Sequence, residues 1–397
     1  MEIVLFAHPE FLGLHSLQRF THMLADGLRL RGHHVEVWKP VPWTYRLKLP
    51  FGLRKWLGYI DQYILFPVKV QRDMRRLPAT ALLVFTDHAL GPWVRLAGKR
   101  PVVVHCHDFL AQQSALGLIR ENRTSFTGKI YQAYIRNGYK KAGHFICVSE
   151  KTRADLMAFM ERPCRSEVVY NGLPDVFSPG DAFSAKALLG QFLDMDLSAG
   201  YLLHVGGNQW YKNRKGVIML YDAWRSVSRY TVPLLMVGDA PDPGLKRLAT
   251  DSPYKKDILW LSGLDDYTVR LAYCGASVFL FPSIAEGFGW PVAEAMACGT
   301  LVLTTAAQPM IEVAGDAGFF MESYPQSSME QGYWAKKGAR LLEKLVDMKP
   351  EERRQYIKRG LLNVQRFGCG EMLNKIERFY KSTLDDYYAT YSADIKS

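Results

Sequence analysis

Residues 278–305 read V-F-L-F-P-S-I-A-E-G-F-G-W-P-V-A-E-A-M-A-C-G-T-L-V-L-T-T, and few folds accommodate that string. Val278 to Phe281 has the length and β-rich composition of a strand buried on both faces in a parallel sheet. Pro282 and Ser283 end it, and a loop carrying Glu286, Gly287, Phe288 and Gly289 follows. Pro291 then falls in the first turn of a helix, which suits its fixed φ and missing N–H. Ala293 to Cys298 is good helix material stopped by Gly299. Leu301 to Thr304 supplies a second buried strand.

Strand, glycine loop and helix N-terminus together form an arrangement that receives phosphate. Unpaired N–H groups and the positive end of the helix dipole point into the loop, and glycines let backbone approach a ligand closely. Glu286 lies in the loop and Glu294 about one turn into the helix. A carboxylate accepts two hydrogen bonds well, so these acids suit sugar or ribose hydroxyls. The plain alternative makes Glu286 a solvated loop acid and Glu294 a first-turn acid complementing the dipole. The convergence of every part on one spot favours the ligand reading.

The stretch E-G-F-G-W-P-V-A-E-A-M-A-C-G-T resembles the signature of retaining nucleotide-sugar glycosyltransferases of family four, also called glycosyl transferases group 1. The resemblance implies an α/β chain of the GT-B fold: two Rossmann-like, doubly wound domains facing a cleft. It implies that Glu294 holds the ribose hydroxyls of the nucleotide and that Glu286 contacts the donor sugar. The backbone of Gly287, Phe288 and Gly289 then helps to hold sugar and phosphate.

A chain of 397 residues has room for two domains. Its 48% apolar and 22% charged content reads as globular and water-soluble. There is no run of 18 apolar residues to span a bilayer. The start, M-E-I-V-L-F-A-H-P-E, reads as a strand rather than a signal peptide. Six scattered cysteines suggest reduced thiols in a cytoplasmic protein, not a disulfide frame or zinc site. A net charge of +11 implies an anionic partner, whether nucleotide phosphate, nucleic acid or membrane.

The N-terminal part opens with a strand at 3–7, a loop, a helix over 16–30 and a strand at His34 to Trp38. This β-loop-α-β unit begins a doubly wound sheet. Gly13 sits in the loop where such sheets place ligands, so a backbone contact to donor is expected there. Residues 40–78 are different, with eight Lys or Arg against two Asp and seven interleaved aromatic residues. Such a segment suits an anionic membrane surface or a lipid-linked acceptor. Nucleic acid is a weaker alternative, and a helical layer with solvated basic residues is the bland one. Strands follow at Ala81 to Phe85 and Pro101 to Val104, the latter ending in H-C-H-D. His105, His107 and Asp108 could hold a metal or simply satisfy a strand end. The resemblance instead implies a histidine reaching the donor sugar, with His107 the better match and His105 in reserve. Residues 111–141 read as helical. Ser149 caps a helix after the strand at 145–148, and V-V-Y-N-G-L-P leads to a linker. The expected organisation is an acceptor-binding domain at 1–175, a nucleotide-sugar-binding domain at 176–370, and a last helix at 371–397 crossing back to the first.

The second domain repeats the pattern. Tyr201 to Val205 enters G-G-N-Q-W-Y-K-N-R-K-G at 206–216. Gly206 and Gly207 followed by Lys212, Arg214 and Lys215 make a loop suited to a diphosphate. Cations there would neutralise charge that grows on a departing phosphate; a basic surface turn is the bland alternative. Lys212 with Asn213 matches the family's lysine position. Asn208 stands near the place of the family's arginine, and Arg214 is the candidate to replace it. Asp265 lies beside the nucleotide base or caps a helix at 267–275. The resemblance implies hexosyl transfer from a donor of GDP-mannose or UDP-glucose type to a glycan or lipid-linked hydroxyl, with retention and with neither cofactor nor divalent metal. Lys212, Arg214, His107 and Glu286 are the catalytic candidates. A phosphorylase or epimerase on the same fold, or a catalytically dead nucleic-acid-binding relative, stays open as an alternative.

Overall fold

The computed structural model describes residues 1–47 and 51–396. Lys48, Leu49 and Pro50 of the basic segment lie outside the described residues, as do Ser397 and the side chains of 51–53 and 390–396. The chain divides into two compact units, Met1–Asn171 together with Gly370–Ser397, and Gly172–Cys369.

The first unit is built on strands β1 (Glu2–Phe6), β2 (His34–Trp38), β3 (Leu82–Phe85), β4 (Val102–Cys106), β5 (His144–Cys147) and β6 (Arg165–Val168). They form one parallel sheet in the order β2-β1-β3-β4-β5-β6. Alternate residues enter two separate cores. Val4 and Phe6 with Leu83 and Phe85 pack on one face, and Ile3 and Leu5 with Leu82 and Val84 on the other. Burial on both faces is why Ile3 to Phe6 and Leu82 to Phe85 are unbroken apolar runs. Part of the second layer comes from the far end of the chain. In the helix Cys369–Lys396, Met372, Leu373, Ile376, Phe379 and Tyr380 join Ile3, Leu5 and Phe20 of that core.

The stretch expected to be helical over 111–141 is broken. It forms Leu110–Ala115 and Phe126–Tyr139. Gly117 takes φ +76°, which ends the first piece, and Ser125 caps the second by accepting from the Gly128 N–H. The basic segment forms helices Phe51–Ile60 and Phe66–Asp73, joined by a π-helical turn at Asp61–Leu65.

The second unit holds β7 (Leu202–Val205), β8 (Leu234–Val237), β9 (Ile258–Leu261), β10 (Val278–Phe281), β11 (Val302–Thr305) and β12 (Gly318–Met321). The order is β12-β11-β10-β7-β8-β9, again all parallel. This is the Rossmann order, and it reverses between β7 and β10. Helix Arg214–Arg225 buries Val217, Ile218, Leu220, Tyr221 and Trp224 against one face, with Trp334 and Leu342 of helix Ser328–Val346 beside them. All six cysteines are free thiols. No helix among the described residues is long and apolar enough to cross a membrane.

Candidate functional site

The strand order turns between β7 and β10, and at such a switch point the crevice that takes ligands lies at the strands' C-terminal ends. Two hydrogen bonds latch the loops that leave the two strands together. The Ile284 N–H donates to the Tyr211 carbonyl at 2.8 Å, and Asn213 Nδ2 donates to the Pro282 carbonyl at 2.8 Å. Asn213 takes a left-handed conformation, φ 51°, which asparagine tolerates. From there its Oδ1 caps helix Arg214–Arg225 by accepting from the Gly216 N–H. A Cβ at Gly207 would lie 2.5 Å from Asp239 Oδ2 and 2.6 Å from Gln209 Oε1, so any side chain there would have to push those two aside.

The latched loops bring Lys212 and Glu286 together, 74 residues apart in sequence. Lys212 Nζ donates to both Glu286 oxygens, at 2.9 and 3.0 Å, and both side chains are largely buried. Ser283 Oγ donates to Glu286 Oε1 at 2.9 Å. The ammonium also lies 5.1 Å from the Phe281 ring centre, a cation–π contact. Glu286 is therefore no solvated loop acid; it is the fixed counter-ion of Lys212. An ammonium has three donors, so Lys212 can hold this carboxylate and still offer an N–H to an incoming oxygen.

Helix Trp290–Ala297 begins beside this pair. Its cap, Gly289, has φ 97° and brings no side-chain acceptor to the helix end. Phe288 is buried edge-on against Phe367, with ring centres 5.3 Å apart, and so holds the loop down. Glu294 lies inside the helix, buried, and accepts a hydrogen bond from Tyr273 Oη at 3.1 Å.

Arg214, expected among the phosphate cations, is 3% exposed. Its Nη1 donates to the Asp239 carbonyl at 2.8 Å and to Asn208 Oδ1, and its guanidinium lies over Trp260. Burial lowers its pKa, against the pull of Asp239 and Asp242. Asn208 in turn donates through Nδ2 to the Ala240 carbonyl. Arg214 and Asn208 thus brace the glycine loop after β7 against the loop after β8. Lys215 is directed to Gln331 Oε1 at 3.2 Å. Asp265 caps helix Asp266–Gly275 by accepting from the Thr268 N–H.

One buried group here was not singled out in the sequence. His204 on β7 donates from Nδ1 to the Leu280 carbonyl at 2.9 Å, and its Nε2 has no hydrogen-bond partner. Burial, helped by the charges of Arg214 and Lys212, pushes its pKa down to about 3, so it is a neutral imidazole. A polar residue in the middle of a buried strand at a switch point would have been the clue.

In the first unit the order changes between β1 and β3, and the loops there carry Gly13 and a histidine–aspartate cluster. Gly13, φ 65°, closes a short turn through its N–H to the Glu10 carbonyl. His8 Nε2 lies 2.9 Å from Asp87 Oδ2. His88 Nδ1 lies 2.9 Å from Asp87 Oδ1, close enough for ion pairing but not aligned as a hydrogen bond. Burial alone would raise the Asp87 pKa; His88 and His8 outweigh it and hold Asp87 well below the usual range. His88 is raised, because Asp87 overcomes the effect of burial. His107 stands beside this cluster, with Nε2 3.0 Å from the Thr86 carbonyl and its ring edge-on to Phe20. Its pKa is lowered by burial. His105 points elsewhere: it is 1% exposed, and its Nε2 meets Tyr380 Oη at 2.7 Å. It is a core residue, so the reserve role for His105 falls away. Asp108 accepts from the Leu110 N–H at 3.0 Å. Among the described residues the group with metal-ligand spacing is instead Glu2, His34 and Glu36, on β1 and β2.

Residues 17–175 match the family model described as Glycosyltransferase Family 4, and residues 199–334 match Glycosyl transferases group 1. Together with the two Rossmann-like sheets, these matches define a chain carrying GT-B glycosyltransferase domains of the group 1 and family 4 kind. The chain is 33% identical over 121 residues to the O-antigen chain mannosyltransferase B of Escherichia coli. That match covers 30% of this chain and 32% of the relative, so the chain spans about a third of the length of that curated protein. In fold it is similar to sucrose-phosphate synthase from Thermosynechococcus elongatus, with a TM-score of 0.73 at 15% identity over 97% of this chain and 100% of that one. It is also similar to Anabaena HepE in complex with UDP, with a TM-score of 0.68 at 17% identity over 96% and 100% of the two chains.

Proposed function

We propose that the chain is a retaining hexosyltransferase. It moves a hexose from a nucleotide diphosphate sugar of GDP-mannose or UDP-glucose type to a hydroxyl of a glycan or lipid-linked acceptor. The observation that carries this reading is the Lys212–Glu286 pair in the β7/β10 crevice, beside a glycine-capped helix end. The mannosyltransferase relative and the UDP complex of a structural neighbour support the two donor types.

Each group then has a task. The diphosphate lies against the amides of Gly206, Gly207 and Gly287 to Gly289 and the positive end of helix Trp290–Ala297. Lys212 donates to the phosphate that departs, stabilising the charge it gains as the glycosidic bond breaks. Glu286 holds Lys212 in place and accepts from a sugar hydroxyl. Glu294 accepts from the ribose hydroxyls. Arg214 and Asn208 act as positioning residues for the glycine loop. Glu286 is a poor covalent nucleophile, because both oxygens already accept from Lys212 and one also accepts from Ser283. This supports front-side attack, in which the acceptor hydroxyl replaces the phosphate on the same face and the phosphate takes its proton.

A panel of UDP and GDP sugars in a thermal-shift assay tests the reading, since a bound donor stabilises the fold by mass action. Donors that stabilise are then assayed for nucleoside diphosphate release with and without glycan acceptors. Release with transfer is the expected result. Isomerised donor without release would point to an epimerase, and sugar phosphate formed with inorganic phosphate to a phosphorylase. No stabilisation by any donor, with salt-dependent retention on DNA, would favour the nucleic-acid alternative.

A further inference from the structure

The first unit presents a surface whose chemistry the transfer reaction does not use. Trp43 and Trp56 are 71% and 64% exposed, and Ile64 and Val68 are 58% and 65% exposed. A second helix, Phe126–Tyr139, adds Phe126 and Ile130, 78% and 56% exposed. Large apolar side chains at such exposure are individually ordinary. These belong to elements joined by one aromatic seam. Tyr63 Oη and Tyr131 Oη are 2.6 Å apart, the Tyr59 and Tyr131 rings lie 5.9 Å apart, and the Tyr63 and Tyr134 rings 6.0 Å apart.

The outward tryptophan is held in place. Asp61, 1% exposed in the π-helical turn, accepts from the Thr44 N–H, Thr44 Oγ1 and the Tyr45 N–H at 2.9–3.0 Å. The Arg54 guanidinium lies 4.4 Å from the centre of the Tyr45 ring. A buried carboxylate spent on fixing one loop keeps the neighbouring Trp43 projecting outward. Around these apolar side chains the exposed charge is positive: Arg46, Arg54, Lys55, Lys69, Arg72 and Lys129. Of the segment's two acids, Asp61 is buried in its clamp, and Asp73 offsets only one of the two cations it is paired with, Lys69 and Arg72, so the face stays positive.

We propose that this face docks on an anionic lipid bilayer. Trp43, Trp56, Ile64 and Phe126 enter the boundary between headgroups and acyl chains, while the surrounding Lys and Arg meet lipid phosphates. Tryptophan and tyrosine suit that depth, having an apolar body and one polar handle. A nucleic acid would satisfy the cations but offers no apolar bed for Ile64, Val68 and Ile130. A second copy of the same face would set cations against cations. The proposal stands on the first unit alone and goes beyond the transfer reading, so neither depends on the other.

The test is sedimentation of the full chain with vesicles of phosphatidylcholine alone and with about 30% phosphatidylglycerol added. The chain should pellet with the anionic vesicles and stay in solution with the neutral ones, and tryptophan emission should shift to the blue on binding. The double variant Trp43→Ser with Trp56→Ser should partition roughly tenfold less. Both sites are exposed, so its melting temperature should match the parent's, which separates loss of docking from loss of folding. Failure to pellet with anionic vesicles at low salt would overturn the proposal. So would a double variant that partitions like the parent, or a DNA duplex that binds more tightly than those vesicles at the same salt.

Discussion

The two sheets place their crevices at equivalent points, where the strand order turns, yet they fill them differently. In the second unit the crevice is made of glycine backbone, a helix end and one compensated ion pair, Lys212 with Glu286. In the first unit it is made of imidazoles around one carboxylate, His8 and His88 about Asp87, with His107 alongside. On the proposed reading, glycine amides and a lysine suit the diphosphate common to every nucleotide sugar, whereas histidines suit hydroxyls and protons. The contrast is that of a generic grip and a specific one, and it makes the second unit the place where a single charge matters most.

Lys212→Ala should therefore have the largest effect. Removing one donor aimed at developing charge costs on the order of hundredfold in turnover. The same change leaves Glu286 buried without its cation, so stability should fall by about 1–3 kcal/mol as well. Circular dichroism and a melting curve keep the two losses apart. Turnover at the parent's rate in a folded Lys212→Ala protein would remove the lysine from the mechanism and dissolve the contrast.

In the first unit the matching probe is Asp87→Asn, read in stability rather than rate. Asp87 has a folded pKa below its unfolded value near 4, so its contribution is present above that value and is lost as the pH falls through the folded one. His88 is raised above its unfolded value near 6.5, so its contribution is full below that and is lost as the pH rises through the folded one. The two windows overlap between about pH 4 and 6.5, where the variant should be weaker than the parent by about 2 kcal/mol, with the gap narrowing on either side. Urea midpoints across this range measure it; a gap that does not change with pH would mean that Asp87 and His88 do not titrate as a pair.

Glu294→Ala should weaken nucleoside diphosphate binding by roughly tenfold, the worth of a good hydrogen bond to a charged acceptor, and leave turnover at saturating donor nearly intact. Titration with UDP and GDP checks it. A loss of turnover without a loss of affinity would move Glu294 from holding the nucleotide to assisting the chemistry.

What could be read in advance follows the range of the forces involved. The strands were legible because burial on both faces forces continuous apolar runs, as in Leu82–Phe85 and Val278–Phe281. The glycine loop and helix at 286–297 were legible because their signals, a glycine cap followed by a first-turn proline and a helix-forming run, are local. The side-chain partnerships were not. Nothing near Lys212 names Glu286, nothing near Arg214 announces Asn208 and Asp239, and His105 meets Tyr380 only because the last helix packs on the first sheet. The break at 116–125 was missed because one glycine in a left-handed conformation outweighs the helical composition around it. Of the histidine cluster only His107 stood out in advance; His8 meets Asp87 and His88 because β1 and β3 are neighbours, which sequence order does not reveal.

The smallest expected effect compares the units through one buried neutral histidine in each. His105 and His204 are both pushed down to about 3 by burial. A histidine with a folded pKa below its unfolded value favours the folded state above about 6.5, and that advantage drains away as the pH falls. Going from pH 6.5 to 5.5 should cost each unit about 1 kcal/mol on this account. His105→Gln and His204→Gln, which cannot take up a proton in this range, should each flatten the fall. The substitutions differ in one respect. Tyr380 Oη meets the His105 ring, whereas His204 Nε2 meets no partner. Glutamine at 204 can therefore replace the bond to the Leu280 carbonyl without stranding a second group, and it should be the milder change at pH 8. If His105→Gln were instead the milder one, the free Nε2 of His204 would have to be engaged in the folded protein.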